Sequence, residues 1–240
     1  MRNLTFAQDE YYHLFNRGNL KQEIFRDDAD RARFLFLILS FQSPKTKFYN
    51  VRRFTDTLKR FVQHSVLNKT VHTMHDEIIS ITQSRIIDLV CFALMPNHFH
   101  LLVREKEEGG ISKYMQRVLN GYTKYWNTKY AQSGHLFQGP FQAVRVEDDH
   151  QLRYLSAYIH RNPHELTEWR GRAWEYPWSS YQDYAQDNRW GELLQLDTVR
   201  GQYNDGEDYH KFVETSGAKD ERDADEELLI DGDRDESDRN

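Results

Sequence analysis

Apolar residues recur along the chain at two spacings, one typical of β-strands and the other of α-helices. Short runs rich in aromatic and β-branched residues predict strands at 11–17, 86–95, 98–104 and about 141–146. Spacings of three and four predict helices at about 28–41, 51–68, 112–129 and 149–161, with shorter candidates near 74–81 and 209–215. The order β-α-β-β-α-β-α predicts an α+β fold. We expect a two-layer sandwich, ferredoxin-like or RRM-like, in which an antiparallel sheet is covered by helices packed on one face.

Composition divides the chain into three parts. Residues 1–185 contain the predicted sheet with a helical insertion at about 44–84, and residues 186–218 form a small C-terminal extension. Residues 219–240 carry eleven acidic and four basic side chains, a net charge of −7, so the −6 of the whole chain leaves +1 for residues 1–218. We predict that this acidic tail is disordered, because it has little apolar surface to bury. The acidity of the whole chain therefore does not exclude a nucleic-acid partner.

Cysteine content and hydropathy exclude several classes of protein. The single cysteine, Cys91, lies in an apolar run, so the sequence has neither a disulfide framework nor a thiolate metal cluster. No apolar run approaches the ~18 residues of a membrane-spanning helix. The N-terminus also lacks the apolar core of a signal peptide. We therefore expect a cytoplasmic protein with no membrane partner.

Two histidines begin the strand predicted at 98–104, one residue after the turn-forming pair Pro96-Asn97. Side chains alternate along a strand, so His98 and His100 share one face while Phe99 points into the core. Two imidazoles on one face form a bidentate clamp for a divalent metal. A bare H-x-H pattern is, however, more often a pair of ordinary histidines on a half-buried strand.

The helix predicted at 149–161 presents a second set of reactive side chains. Tyr154, Tyr158 and Asn162 are spaced by four, so they lie along one face of the helix. Pro163 disfavours helical dihedral angles at Asn162, which makes the last pairing less secure. Taken singly, a packing tyrosine and an asparagine at a helix end are the commoner interpretations.

Five motifs occur in one order along residues 8–181: YHLFNRG at 12–18, ALMPNHFHLL at 93–102, GHLFQG at 134–139, YIHRNP at 158–163 and YPWSSY at 176–181. Together they resemble the IS200/IS605-type single-tyrosine transposases, and especially their REP-associated branch. An ordered set of motifs is far more specific than H-x-H alone. The insertion at about 44–84 and the acidic tail depart from the family pattern.

The resemblance implies a His-hydrophobic-His transposase domain over residues 1–185, a strand transferase acting on single-stranded or hairpin DNA. In this family a tyrosine oxygen attacks a DNA phosphodiester, leaving a free 3′-hydroxyl and a covalent 5′-phosphotyrosine. The resemblance assigns the nucleophile to Tyr158 and a Mg²⁺ or Mn²⁺ site to His98, His100 and Asn162. Two nitrogens and one neutral oxygen do not by themselves exclude Zn²⁺. Relatives occur as monomers and as dimers, which leaves a homodimer open.

Basic residues of the body are candidates for contact with DNA phosphates. They are Arg17, Arg117, Lys124, Arg145, Arg153 and Arg161. Each one, taken singly, is more often part of a solvated surface.

Two other functions stay open. A domesticated DNA-binding regulator would not cut DNA, and it would have no use for the two histidines, Tyr158 and Asn162 together. A metal-dependent phosphodiesterase would use water as the nucleophile, and Tyr158 would then be dispensable.

Overall fold

The computed structural model describes residues 4–45, 51–64 and 75–218. Within these residues four strands form one antiparallel sheet in the order β2-β3-β1-β4: β1 (Tyr11–Arg17), β2 (Ile87–Met95), β3 (His98–Glu105) and β4 (Gln142–Arg145). The α-helices there are α1 (Asp28–Ser40), α2 (Val51–His64), α3 (His75–Gln83), α4 (Gly110–Tyr130), α5 (Asp149–Arg161), α6 (Tyr181–Ala185), α7 (Asp197–Arg200) and α8 (Gly206–Thr215). Short 3-10 turns include Asn162–Glu165, directly after α5.

Aspartate side chains set the starts of α1 and α5. Asp27 accepts a hydrogen bond from the amide of Asp30, and Asp148 accepts one from the amide of Gln151. A carboxylate in this position satisfies an amide that has no partner within the helix, so it fixes the first turn.

The two faces of the sheet carry different chemistry. The core face includes Leu14 of β1 and Phe99 of β3, both fully buried. Phe99 packs against Phe34 of α1 at 4.9 Å between ring centroids, and Phe34 packs against Tyr122 of α4 at 5.0 Å. We call the opposite side the histidine face; it carries His13, Phe15 and Arg17 of β1 and His98 and His100 of β3.

The α+β class and the antiparallel sheet are confirmed, but the placement of all helices on one face is wrong. Helices α1 and α4 cover the core face, whereas α5 packs on the histidine face through Tyr158, whose ring lies 5.7 Å from that of His100. The physical reason lies in β2, where all nine residues are buried. A strand that is apolar on both sides needs cover on both sides.

The outer edge of β2 is closed by the segment 176–180. The amide of Leu94 donates to the carbonyl of Trp178, and the amide of Ser180 donates to the carbonyl of Phe92. Pairing of this kind protects an edge strand from other chains. It also brings Ser180 close to α5.

A buried polar network joins α5 to Ser180 and to Tyr209 of α8. His160 is joined through Nδ1 to the Tyr209 hydroxyl at 2.6 Å and through Nε2 to the Ser180 hydroxyl at 2.8 Å. Tyr209 also donates to the hydroxyl of Ser156, one turn earlier on α5. Burial lowers the pKa of His160 to about 3, so the imidazole is neutral at physiological pH.

The predicted domain boundary at residue 185 stays a prediction. Contacts cross this boundary, since Tyr209 of the segment 186–218 is bonded to His160. Helices α2 and α3 occupy the insertion near 44–84, and its remaining parts, 46–50 and 65–74, lie outside the described residues. The predicted disorder of the tail 219–240 also falls outside them. No helix in the described ranges is long and apolar enough to cross a membrane.

Replacing Tyr209 by Phe tests whether the network stabilises the fold. The change removes one hydroxyl and leaves His160 with an unmade hydrogen bond in a dry environment. We expect the free energy of unfolding in urea to fall by about 1–3 kcal/mol. Tyr203→Phe is the matched control, because its buried hydroxyl makes no hydrogen bond to the described residues and its ring also packs on Tyr209. Equal stability of Tyr209→Phe and the parent would contradict this role.

Candidate active site

The pairing of β1 with β3 assembles the histidine face. In the antiparallel register Arg17 lies opposite His98, and Phe15 lies opposite His100. Directly opposed side chains share a face and lie within contact distance. The register therefore places one cation and one aromatic ring beside the two histidines.

His98 and His100 lie next to each other on this face. Their ring centroids are 5.0 Å apart and the ring planes are nearly perpendicular. Metal–nitrogen bonds of about 2.1 Å allow two rings on one ion to have centroids up to about 6.5 Å apart. The spacing of the two rings thus fits a shared cation.

Each of the two rings is held through its Nδ1 atom. The Nδ1 of His98 lies 2.7 Å from Oδ1 of Asn97, and the Nδ1 of His100 lies 2.9 Å from Nε2 of His13. Hydrogen bonds at one ring nitrogen set the orientation and the tautomer of a metal-binding histidine. Because Nδ1 of His98 faces an amide oxygen, Nε2 is the atom of that ring that is suited to a cation.

Tyr158 is the tyrosine of α5 that meets the histidines. Its ring centroid lies 5.7 Å from that of His100 and 6.1 Å from that of His13, both edge to face. Tyr154 is directed elsewhere, because its hydroxyl lies 3.5 Å from the carbonyl of Gly217, after α8. The structure therefore separates two phenols that the sequence places on one helix face.

Asn162 lies one turn beyond Tyr158 and is fully buried. Its φ and ψ of −50° and −42° continue the helix in spite of Pro163, which takes the first-turn position of the following 3-10 turn. The side-chain nitrogen Nδ2 of Asn162 donates to the backbone carbonyls of Tyr158 and Ile159. Only its oxygen can serve as a ligand for a cation.

The chemistry of these donor atoms suits the divalent cation that the resemblance implies. Two imidazole nitrogens and one carboxamide oxygen suit Mn²⁺ or Mg²⁺ and tolerate Zn²⁺. No group of three His, Cys, Asp or Glu side chains among the described residues is arranged to hold a metal. A site here would need its third protein ligand from a neutral oxygen such as that of Asn162.

The six predicted DNA-contact residues do not form one surface. Only Arg17 has a position in the strand pairing directly opposite a site histidine. Arg117 and Lys124 lie on α4, across the sheet, and the guanidinium of Arg117 donates to the carbonyls of Phe41 and Ser43. The other three interact away from the histidines: Arg145 pairs with Glu10, Arg153 interacts electrostatically with Tyr203, and Arg161 donates to the carbonyls of Val213 and Glu214.

Two aromatic side chains of the histidine face were not singled out from the sequence. His13 is buried, and its ring centroid lies 5.1 Å from that of His100. Phe15 is half-buried and lies 4.8 Å from His13 and 6.0 Å from His100. The alternation of residues 11, 13, 15 and 17 would have indicated both, once β1 was taken as the neighbour of β3.

The antiparallel sheet presents two adjacent histidines to a tyrosine on a helix, as the resemblance to the single-tyrosine transposases implies. The sequence profile of the family described as IS200-like transposases matches residues 58–162, a little under half of the chain. The matched stretch contains His98, His100, Tyr158 and Asn162. It confirms the resemblance to this family that the sequence motifs indicate.

A similar solved structure aligns with this chain over most of the length of both proteins. It is a REP-associated tyrosine transposase bound to a REP hairpin, with 13% sequence identity and a TM-score of 0.44. The alignment covers 82% of this chain and 89% of that one. No curated protein matches the chain. Membership of the REP-associated branch stays a prediction.

Proposed function

We propose that this protein is a metal-dependent DNA transposase, or strand transferase, that cleaves single-stranded or hairpin DNA through a covalent bond to Tyr158. The observation that carries the proposal is the meeting of Tyr158 with the histidine face. The match to the IS200-like transposases supports the same reaction. Without this placement, the H-x-H pattern and the tyrosine would be two unrelated features.

The proposed step is a transesterification at phosphorus. The Oη atom of Tyr158 attacks the scissile phosphate, the bond from phosphorus to the 3′-oxygen breaks, and a 5′-phosphotyrosine forms. The phenol loses its proton, and the departing 3′-oxygen gains one. Because the phosphodiester is exchanged and not hydrolysed, the 3′-hydroxyl of another strand can reverse the step without an energy source.

His98, His100 and the oxygen of Asn162 are the proposed ligands of a Mg²⁺ or Mn²⁺ ion. When bound, such an ion would polarise the scissile phosphate and offset the charge that develops on its oxygens. The residues themselves orient the site: Asn97 and His13 hold the rings through Nδ1, and α5 carries Tyr158 and Asn162 one turn apart. Arg17, opposite His98, is the proposed contact to a flanking phosphate.

Burial of the site favours strand transfer over the phosphodiesterase alternative. Tyr158 is 3% exposed and His100 is 1% exposed. A hydrolase must admit water to the reacting phosphate, whereas exclusion of water protects a covalent intermediate from hydrolysis as a side reaction. The non-cutting regulator is disfavoured because it has no use for a tyrosine packed against the two histidines.

Replacing Tyr158 by Phe tests the nucleophile. The variant keeps the ring and loses one oxygen, so folding should change little, while the covalent adduct with labelled hairpin DNA in Mn²⁺ should disappear. Denaturing electrophoresis measures the adduct. Tyr154→Phe is the matched control on the same helix and should retain attachment. EDTA should abolish attachment by the parent protein.

Three outcomes would count against this assignment. Attachment that survives in Tyr158→Phe, or that is lost only in Tyr154→Phe, would place the nucleophile elsewhere. Cleavage without an adduct in Tyr158→Phe would indicate the water-using phosphodiesterase. Undiminished attachment in EDTA would overturn the metal dependence alone.

A pair of arginine variants tests whether Arg17 contacts DNA while Arg117 only stabilises the fold. Arg17→Gln should weaken binding of hairpin DNA and reduce the slope of log affinity against log salt by about one, because one phosphate contact is lost. Arg117→Gln should leave that slope unchanged. It should instead lower the free energy of unfolding by about 1 kcal/mol, through loss of its bond to Ser43. Fluorescence anisotropy over a range of NaCl concentrations measures the slope. The reverse pattern would refute the roles given to Arg17 and Arg117.

A further inference from the structure

His13 is a buried histidine that is neither the proposed nucleophile nor a proposed metal ligand. It is 1% exposed, and its ring lies nearly parallel to that of His100, with an interplanar angle of 22°. A polar group in such an environment is costly unless it is hydrogen-bonded. Its Nε2 lies 2.9 Å from the Nδ1 of His100.

The strand register directs His13 towards this contact. His13 lies opposite Leu102, so it is the diagonal neighbour of His100 on the histidine face. Diagonal neighbours are within reach of aromatic side chains. The rings of Phe15 and Tyr158 lie 4.8 and 6.1 Å from the His13 ring and limit its movement.

His98 indicates the direction of the bond between His13 and His100. The Asn97 amide nitrogen donates to the carbonyl of Lys21, which directs its Oδ1 towards His98 Nδ1. A carbonyl oxygen only accepts, so His98 carries its proton on Nδ1 and its lone pair on Nε2. A cation shared by the two rings requires the same tautomer of His100.

We propose that His13 is a positioning residue for His100. Its Nε2 accepts the Nδ1–H of His100, which fixes the ring orientation and keeps the lone pair of His100 on Nε2, the atom that would bind a divalent cation. The opposite direction would put that lone pair on Nδ1, facing His13. This inference rests on the metal site proposed above.

Binding of Mn²⁺ alone to the full-length protein, without DNA, provides the test. Free Mn²⁺ is measured by electron paramagnetic resonance, and the double variant His98→Ala/His100→Ala gives the Mn²⁺ held elsewhere, including by the acidic tail. His13→Leu should weaken binding at the site by about 10- to 100-fold, as is typical for loss of a residue that supports a ligand. His13→Gln should stay within about threefold of the parent, because its amide oxygen can accept the same proton.

Two further variants separate positioning from general effects. His150→Leu removes an exposed histidine at the start of α5 and should bind Mn²⁺ like the parent. His13→Asn keeps a polar group too short to reach His100, so it should lose affinity as His13→Leu does and it replaces that variant if Leu prevents folding. Binding of hairpin DNA in EDTA should be retained by the folded variants.

The outcomes distinguish this inference from the proposed function. Parent-like Mn²⁺ affinity in His13→Leu or His13→Asn, or equal loss in His13→Gln, would overturn the role of His13 and leave the metal site intact. If the parent binds no more Mn²⁺ than the double histidine variant, the metal site fails and this inference fails with it. Loss in His13→Leu with recovery in His13→Gln supports the positioning role.

Discussion

The site depends on the antiparallel pairing of β1 with β3. A shift of this pairing by one residue would turn His13, Phe15 and Arg17 away from the two histidines of β3, because side chains alternate along a strand. The register is specified on the other side of the sheet, where Leu14 and Phe99 are fully buried in the core. Apolar burial on one face thus sets the distances between polar groups on the other.

Several groups that hold the proposed site residues in place lie outside the stretch that matches the model of the IS200-like transposases. That stretch, residues 58–162, holds the two histidines, Tyr158 and Asn162. His13, which contacts His100, precedes it, and Ser180 and Tyr209, which hold α5 through His160, follow it. The matched segment therefore contains the proposed nucleophile and metal ligands, while their arrangement also depends on strand β1 and the C-terminal segment.

Local patterns predicted the parts of this structure that depend on neighbours in sequence. The alternation of β3 predicted the shared face of His98 and His100, and spacings of three and four predicted α1 and α5 at about 28–41 and 149–161, close to their observed bounds. The side of the sheet that α5 covers was not predictable. The apolar stripe of an amphipathic helix shows that this face is buried, but not which face of the sheet buries it. The partners of Arg117 were equally hidden, because Ser43 lies 74 residues away in sequence.

Access of DNA to the proposed site would require Tyr158 to move, since its ring packs edge to face on His100 and little of it is exposed. Two movements could separate Tyr158 from His100. Displacing α5 would break both hydrogen bonds of buried His160 as well as the packing of the helix on β2 and β3. Rotating the Tyr158 side chain gives up only the contacts of one ring. Because an unmade buried hydrogen bond costs about 1–3 kcal/mol, rotation of the tyrosine is the less costly route.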